Sequence, residues 1–106
     1  MAGDQEVRAE AKRRFDAHSS GQAQINPDIR AAVYKIVASM GQEDDYNTMV
    51  RLHNQAELHE EKCRIQRSGL GCFASKTLLA KALEMALSEH VRSQDSVHFI
   101  SSIAAK

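Results

Sequence analysis

Cysteine, proline and long apolar runs are scarce in this sequence of 106 residues, which has one proline, no tryptophan and two cysteines, Cys63 and Cys72. Two cysteines do not make a disulfide framework, so a reduced cytoplasmic setting fits best. No apolar run approaches the length needed to span a bilayer. The N-terminus is polar and acidic and lacks the apolar core of a signal peptide. We therefore expect a cytoplasmic protein without membrane contact.

Net charge is also missing, because Lys plus Arg equals Asp plus Glu at 14 each. A neutral chain has no general attraction to nucleic acid or to an anionic membrane. The basic run Lys12-Arg13-Arg14 is interleaved with Glu10 and Asp16, and no aromatic platform accompanies it. We read this run as a solvated surface and expect no nucleic-acid partner.

Apolar residues make up 42% of the chain and charged residues 26%, a composition typical of a globular protein. Few β-branched runs occur, so helix is favoured over sheet. The sequence predicts an all-α chain of about six helices, near residues 5–18, 27–40, 42–55, 56–67, 75–90 and 93–105. Residues 1–106 then form a single unit.

The ends of these helices carry local signals. Gly21 can take the left-handed conformation that closes the first helix. Asn26 can cap the second helix, with Pro27 at its first position, and Gly41 ends that helix. Ser75 and Ser93 can cap the fifth and sixth.

Apolar residues three and four apart predict which face of each helix is buried. The predicted inward residues are Val7, Ala11 and Phe15; Ile29, Ala32, Val33, Ile36, Val37 and Met40; Tyr46, Met49, Val50, Leu52 and His53; Leu58, His59, Cys63 and Ile65; Leu78, Leu79, Ala82, Leu83, Met85, Ala86 and Leu87; and Val97, Ile100, Ile103 and Ala104. Phe73 is expected to plug the gap between helix pairs. Short connectors favour about three antiparallel pairs, stacked as a HEAT/armadillo-like α-solenoid segment.

Several short stretches carry a resemblance through their order and spacing together. They are Asp28-Ile29-Arg30 with Val33-Tyr34, Glu60-Glu61-Lys62 with Arg64-Ile65, Leu70-Gly71-Cys72, Leu78-Leu79, Ala86-Leu87-Ser88-Glu89 and Val91-Arg92-Ser93-Gln94-Asp95. The chain resembles the C-terminal helical domain of zinc aminopeptidases, the group of puromycin-sensitive aminopeptidase, aminopeptidase N and the endoplasmic-reticulum aminopeptidases. It departs from that family at Ser75-Lys76, where Asp-Pro is frequent, and at Gly69, which looks like an extra residue.

The resemblance implies a hydrolase that removes N-terminal residues from peptides. In such enzymes the zinc lies in a separate upstream domain, and the helical domain forms a bowl over the peptide cavity. We therefore expect a non-catalytic fragment of a larger C-terminal domain, with no cofactor of its own. Its partners would be the rest of the enzyme and the enzyme's peptide substrate, and the cut end of a solenoid could also self-associate.

One stretch resembles a damaged zinc-peptidase motif. His59 and Cys63 stand at the i and i+4 positions that such enzymes fill with two histidines, and Glu60 holds the place of the general base. No third ligand has identifiable spacing, since Cys72 lies across a helix break. The sequence therefore gives no catalytic, cofactor-binding or metal-binding residues.

The remaining histidines show no pairing at i and i+4. His18, His53, His90 and His98 are expected at the surface or its boundary. Ser93, Asp95 and His98 do not make a hydrolase triad, because no strained nucleophile turn accompanies them.

A second reading stays open, in which the chain is an independent helical-repeat scaffold that binds a partner protein. An upstream His-Glu-x-x-His domain in the same open reading frame would favour the aminopeptidase reading, and its absence would favour the scaffold.

Overall fold

A computed structural model describes residues 2–88 and 91–104, which form six α-helices and one short 3-10 turn, with no strand among them. The all-α prediction and the number of helices are confirmed. The helices are α1 (Ala2–Ser19), α2 (Pro27–Met40), α3 (Glu43–Gln55), α4 (His59–Ser68), α5 (Lys76–Ala86) and α6 (Ser93–Ala104), and the 3-10 turn is Leu70–Cys72. None of the described helices is both long enough and apolar enough to cross a membrane.

The end signals at Gly21, Asn26 and Ser75 act as predicted. Gly21 has a φ of 83° and closes α1, with its N–H on the carbonyl of His18 and the next N–H on that of Ala17. This pair of bonds is a Schellman motif, which satisfies carbonyls that the helix end leaves open. The Asn26 side chain accepts from the N–H of Asp28 at 2.9 Å. The Ser75 hydroxyl likewise accepts from the N–H of Leu78, at 3.4 Å.

Gly41 follows α2 with an ordinary extended φ of −77°, so a left-handed turn is not what requires a glycine there. A Cβ atom at this position would lie 2.7 Å from the Phe73 ring and 2.8 Å from the Val37 carbonyl oxygen. Phe73 is fully buried, as predicted, and packs edge-on against Tyr46 with ring centroids 5.5 Å apart. The close approach of the Phe73 ring to the end of α2 therefore explains the glycine.

Neighbouring helices pack in sequence, α1 on α2, α3 on α4 and α5 on α6. The even-numbered helices also contact one another, because α4 packs against both α2 and α6. α4 therefore lies at the centre of the chain, between the first helix pair and the last. The HEAT/armadillo-like stacking stays a prediction.

The buried side chains lie on faces that differ in part from the predicted ones. In α2 the buried residues are Val33, Tyr34, Val37 and Ala38, so the inward face is rotated from the predicted one. Ile29 is 41% exposed. The rotation follows from Tyr34, whose ring packs edge-on against Phe15 at 6.2 Å while its hydroxyl bonds to groups on two other helices.

The prediction of burial is also wrong for other residues. Exposed instead are Val7, Ala32, Leu58, His59, Leu83, Leu87, Val97 and Ala104. Within α5 the buried side chains are Leu78, Ala82 and Ala86. Phe99 is buried in α6, although the pattern of Val97, Ile100 and Ile103 did not include it. α5 and α6 each have too many apolar positions for one face, so periodicity alone does not select the face that contacts a neighbour.

His53 was expected inside by its helix face and at the boundary by its chemistry, and it is buried. Its side chain is 1% exposed, and its Nε2 atom lies 2.9 Å from the Gln66 side-chain nitrogen. The Gln66 amide donates to this nitrogen, which makes His53 a hydrogen-bonded core residue that joins α3 to α4. A buried polar side chain of this kind is tolerated because its partner is buried with it.

A groove with a hydrogen-bonded floor

A groove of about 810 Å³ separates the end of α1 and the start of α2 from α3 and α4. Most of its lining residues are polar or charged, among them His18, Arg30, Tyr34, Arg51, Glu57, Glu60, Glu61 and Arg64. The apolar side chain of Leu58 is 70% exposed at the same groove. The groove is thus a feature that no single sequence stretch could have indicated, because four helices build it.

Tyr34 is the centre of the groove floor. Its hydroxyl donates to Oε2 of Glu61 at 2.7 Å and lies 3.3 Å from Nε2 of His18. Burial first, and then the hydrogen bond to the Glu61 carboxylate, raise the pKa of Tyr34 far above its ordinary value. Tyr34 therefore stays a neutral hydrogen-bond donor and ties α1, α2 and α4 together.

His18 is held in its neutral form by this arrangement. The N–H of Ile25 donates to His18 Nδ1 at 3.3 Å, so Nδ1 is an acceptor and carries no proton. Nε2–H can then donate to the Tyr34 hydroxyl oxygen. Burial first, and the charge of Arg30 second, lower the pKa of His18 from its ordinary value.

Two arginines surround the carboxylate of Glu61. Arg30 Nη1 lies 3.2 Å from Glu61 Oε1, and Arg64 Nη1 donates to the same oxygen. Arg30 also donates from Nη2 to the carbonyl of Ile25 at 2.6 Å. The Ile25 N–H donates to His18, and the Ile25 carbonyl accepts from Arg30. The hydrogen bonds therefore form a closed ring, which runs from Ile25 and His18 through Tyr34 and Glu61 to Arg30.

Arg51 lies on the α3 side of the groove. Its Nη2 atom donates to the carbonyl of Ser19, in the last turn of α1, at 3.3 Å. A cation at this position satisfies a carbonyl that the helix end leaves open and matches the negative end of the helix dipole. Arg51 therefore joins α3 to α1 and places positive charge at the groove.

The basic run Lys12-Arg13-Arg14 of α1 is paired with acids, as the interleaved sequence suggested. Arg14 Nε lies 2.8 Å from Glu10, and Arg13 bonds to the same carboxylate. Lys12 reaches Asp16 at 3.2 Å and also bonds to Asp45 at the start of α3. Exposed pairs of this kind contribute little to stability, but the Lys12 contact joins α1 to α3.

The other candidate residues gather at the start of α4. Cys63 Sγ lies 3.4 Å from His59 Nε2, which confirms that the i and i+4 positions meet on one face. The same Nε2 atom lies 3.2 Å from Oδ2 of Asp95, in the first turn of α6. Burial first, and then the Asp95 carboxylate, raise the pKa of the Cys63 thiol. The structure thus supplies a third side chain, 32 positions further along the chain than Cys63, that spacing could not reveal.

The remaining histidines are dispersed. His98 is exposed on α6, and the Asp95 carboxylate lies beside the His59 ring. His90 and the Ser93 side chain lie outside the described residues, so the predicted cap at Ser93 stays a prediction. Sequence reasoning missed His18, Tyr34 and Glu61 as a unit, because their contacts join positions 16 and 27 residues apart.

Comparison with known proteins agrees with the resemblance. The family model of the ERAP1-like C-terminal domain matches residues 1–106. Aminopeptidase M1 of Arabidopsis thaliana is 33% identical over 107 aligned residues, which cover 96% of this chain and 12% of that protein. The alanine/arginine aminopeptidase of Saccharomyces cerevisiae is 30% identical over 95 residues, which cover 89% of this chain and 11% of that protein. The chain thus spans about an eighth of the length of these relatives, and it belongs to the ERAP1-like C-terminal domain family.

Proposed function

We propose that this chain is a non-catalytic part of the C-terminal domain of a cytoplasmic zinc aminopeptidase, where it forms part of the wall over the peptide cavity. The family match over residues 1–106 carries the proposal, together with two relatives whose names describe aminopeptidases. In this reading its partners are the rest of the enzyme and the peptide substrate.

The groove between α1, α2, α3 and α4 is the surface that we assign to the peptide. An extended peptide carries a backbone donor and an acceptor at nearly every residue, and its side chains differ in charge. A groove lined by arginines, glutamates and the exposed Leu58 side chain can contact such a ligand without selecting one sequence. The ring of hydrogen bonds through Tyr34 and Glu61 would keep this wall rigid.

Peptide hydrolysis is assigned to the upstream domain of the enzyme. The family's zinc site needs two histidines in His-Glu-x-x-His, and this sequence contains no such motif. Glu60, which stands where the general base would be, is 84% exposed and has its nearest ion-pair partner in Arg64 at 3.9 Å. These residues do not fit the catalytic zinc, so no hydrolytic step is derived from them.

A charge reversal at the groove tests the proposal in the enzyme that carries this chain. Arg51→Glu should lower kcat/KM for peptides long enough to reach the wall, and it should leave the hydrolysis of short aminoacyl-coumarin substrates unchanged. Arg8→Glu, at an exposed position of α1 outside the groove, is the matched control and should change neither rate. Equal rates for Arg51→Glu and wild type on all peptide lengths would contradict the proposal.

The content of the open reading frame distinguishes the scaffold reading from the aminopeptidase reading. If the open reading frame contains no His-Glu-x-x-His domain, the chain is not part of a zinc aminopeptidase. The groove would then be a site for a partner protein.

A further inference from the structure

Three side chains with metal-binding atoms meet where the starts of α4 and α6 approach each other. They are His59, Cys63 and Asp95, and one donor atom from each lies within 4.8 Å of the other two. We propose that these residues form a binding site for a divalent transition-metal ion of the zinc type. The proposal does not depend on the proposed function, because it rests only on atoms of this chain.

The distances match the edges of a tetrahedral zinc site. With Zn–N at about 2.0–2.1 Å, Zn–S at about 2.3 Å and Zn–O at about 2.0–2.2 Å, tetrahedral angles place nitrogen and sulfur about 3.5 Å apart and nitrogen and oxygen about 3.3 Å apart. The corresponding distances here are 3.4 Å from His59 Nε2 to Cys63 Sγ and 3.2 Å from His59 Nε2 to Asp95 Oδ2. Two of the three edges therefore match a tetrahedral site, and the donor atoms of Cys63 and Asp95 lie within 4.8 Å of each other.

The geometry favours a metal site over a nucleophilic Cys-His-Asp triad. In a triad the histidine uses one ring nitrogen for the nucleophile and the other for the carboxylate. Here both Cys63 and Asp95 lie beside the same atom, Nε2 of His59. Three donors around one point describe a coordination site, whereas a proton relay needs the donors in line.

Charge and access also suit a cation. A thiolate from Cys63 and the Asp95 carboxylate carry two negative charges, which balance a divalent ion bound by neutral His59. The Asp95 side chain is 14% exposed and that of His59 is 41% exposed, so an ion can enter from solvent. Arg67 and Arg92 act on Cys63 electrostatically and oppose the cation, although both are exposed and therefore screened. Three protein ligands leave a fourth position for water.

A bound ion would connect two helix pairs. His59 and Cys63 belong to α4, and Asp95 belongs to α6, so one ion would join the central helix to the last helix pair. An ion that binds the folded chain and not the unfolded chain raises the midpoint of thermal unfolding. Metal binding would thus reinforce the contact between α4 and α6.

Cobalt titration of the reduced, metal-free chain tests the site. We expect one Co²⁺ per chain and a near-ultraviolet charge-transfer band that reports a cobalt–thiolate bond, followed by displacement of Co²⁺ by Zn²⁺. Cys63→Ser should abolish the band. Asp95→Asn and His59→Gln should each weaken binding by at least ~10-fold, because the loss of even an outer-shell partner costs that much affinity. Cys72→Ser and His98→Gln are the matched controls and should bind like the wild type.

A second measurement needs no substitution, so it stays valid if a variant fails to fold. Stoichiometric Zn²⁺ should slow the alkylation of Cys63 and leave that of Cys72 unchanged, as read by mass spectrometry of the modified peptides. Absence of a thiolate band, a band that survives Cys63→Ser, an Asp95→Asn affinity equal to the wild type, or equal alkylation of Cys63 with and without zinc would each overturn the proposal.

Discussion

Replacing Tyr34 by phenylalanine tests the groove floor, because the change removes one oxygen atom and keeps the ring. The side chain is fully buried, and its hydroxyl donates to Glu61 at 2.7 Å. A hydrogen bond to a charged group contributes about 1.5–3 kcal/mol to stability. Arg30 and Arg64 still pair with the carboxylate after the substitution, so Glu61 is not left as an uncompensated buried charge. We therefore expect the free energy of unfolding to fall by about 1.5–3 kcal/mol.

Urea unfolding followed by circular dichroism measures this loss, and Tyr46→Phe is the matched control. Tyr46 is also buried and also packs edge-on against a phenylalanine ring. Burial raises the pKa of Tyr46 to about 12, and Glu84 adds to this through its charge without accepting a hydrogen bond from the hydroxyl. Its substitution should therefore stay within ~0.5 kcal/mol of the wild type. Equal losses for the two variants would refute the reasoning, because burial alone and not the hydrogen-bonded ring would then explain Tyr34.

His18, the two faces of α5 and the last helix each offer a further test. The pKa of His18 is lowered from its ordinary 6.5 by folding, so the unfolded chain binds this proton more readily, and stability should fall as the pH drops below about 6.5 through the folded pKa. His18→Gln should flatten that part of a urea-unfolding profile, and an unchanged slope would argue against a neutral His18. Leu78→Ala should cost ~2–5 kcal/mol, and Leu83→Ala, at a position 39% exposed, should cost less than half as much. The reverse order in denaturant melts would mean that α5 turns its other face inward. Sedimentation should show association that grows with concentration, because the exposed Val97 lies on the last helix, and a strict monomer would contradict it.

Local features of the fold could be predicted from the sequence because their causes are local. The cap at Asn26, the cap at Ser75 and the left-handed Gly21 each depend on a few neighbouring residues, and all three are confirmed. Phe73 was also placed correctly, since a large aromatic ring in a short connection between two helices has few other places to be buried.

The inward faces were harder to predict because they depend on the neighbouring helices. Leu83 and Leu87 continue the apolar pattern of α5, yet they are 39% and 70% exposed. Tyr34 is the opposite case. It is buried although the apolar pattern did not include it, because its polar atom gave no sign of burial. It is buried because His18 and Glu61 both reach its hydroxyl.

Four of the residues that carried the family resemblance meet in three dimensions. Arg30 and Tyr34 come from one of the quoted stretches, and Glu61 and Arg64 come from another. The structure brings them together at the floor of the groove, where Glu61 contacts the other three. Their spacing in the sequence thus reflects a contact between α2 and α4 that periodicity could not show.

The metal-site candidate shows the same limit. His59 and Cys63 could be paired by spacing, since i and i+4 share a helix face. Asp95 could not, because the chain passes through α5 before it returns to the start of α4.

Photo-crosslinking at the groove tests the central claim most directly. A benzophenone side chain is placed at Leu58 in the proposed parent enzyme, and at Leu87 as a matched control. Both positions are 70% exposed leucines, but only Leu58 lies at the groove. A bound peptide should crosslink at position 58 and not at position 87. Crosslinking at neither position, or equally at both, would contradict the assignment of this groove to the peptide wall.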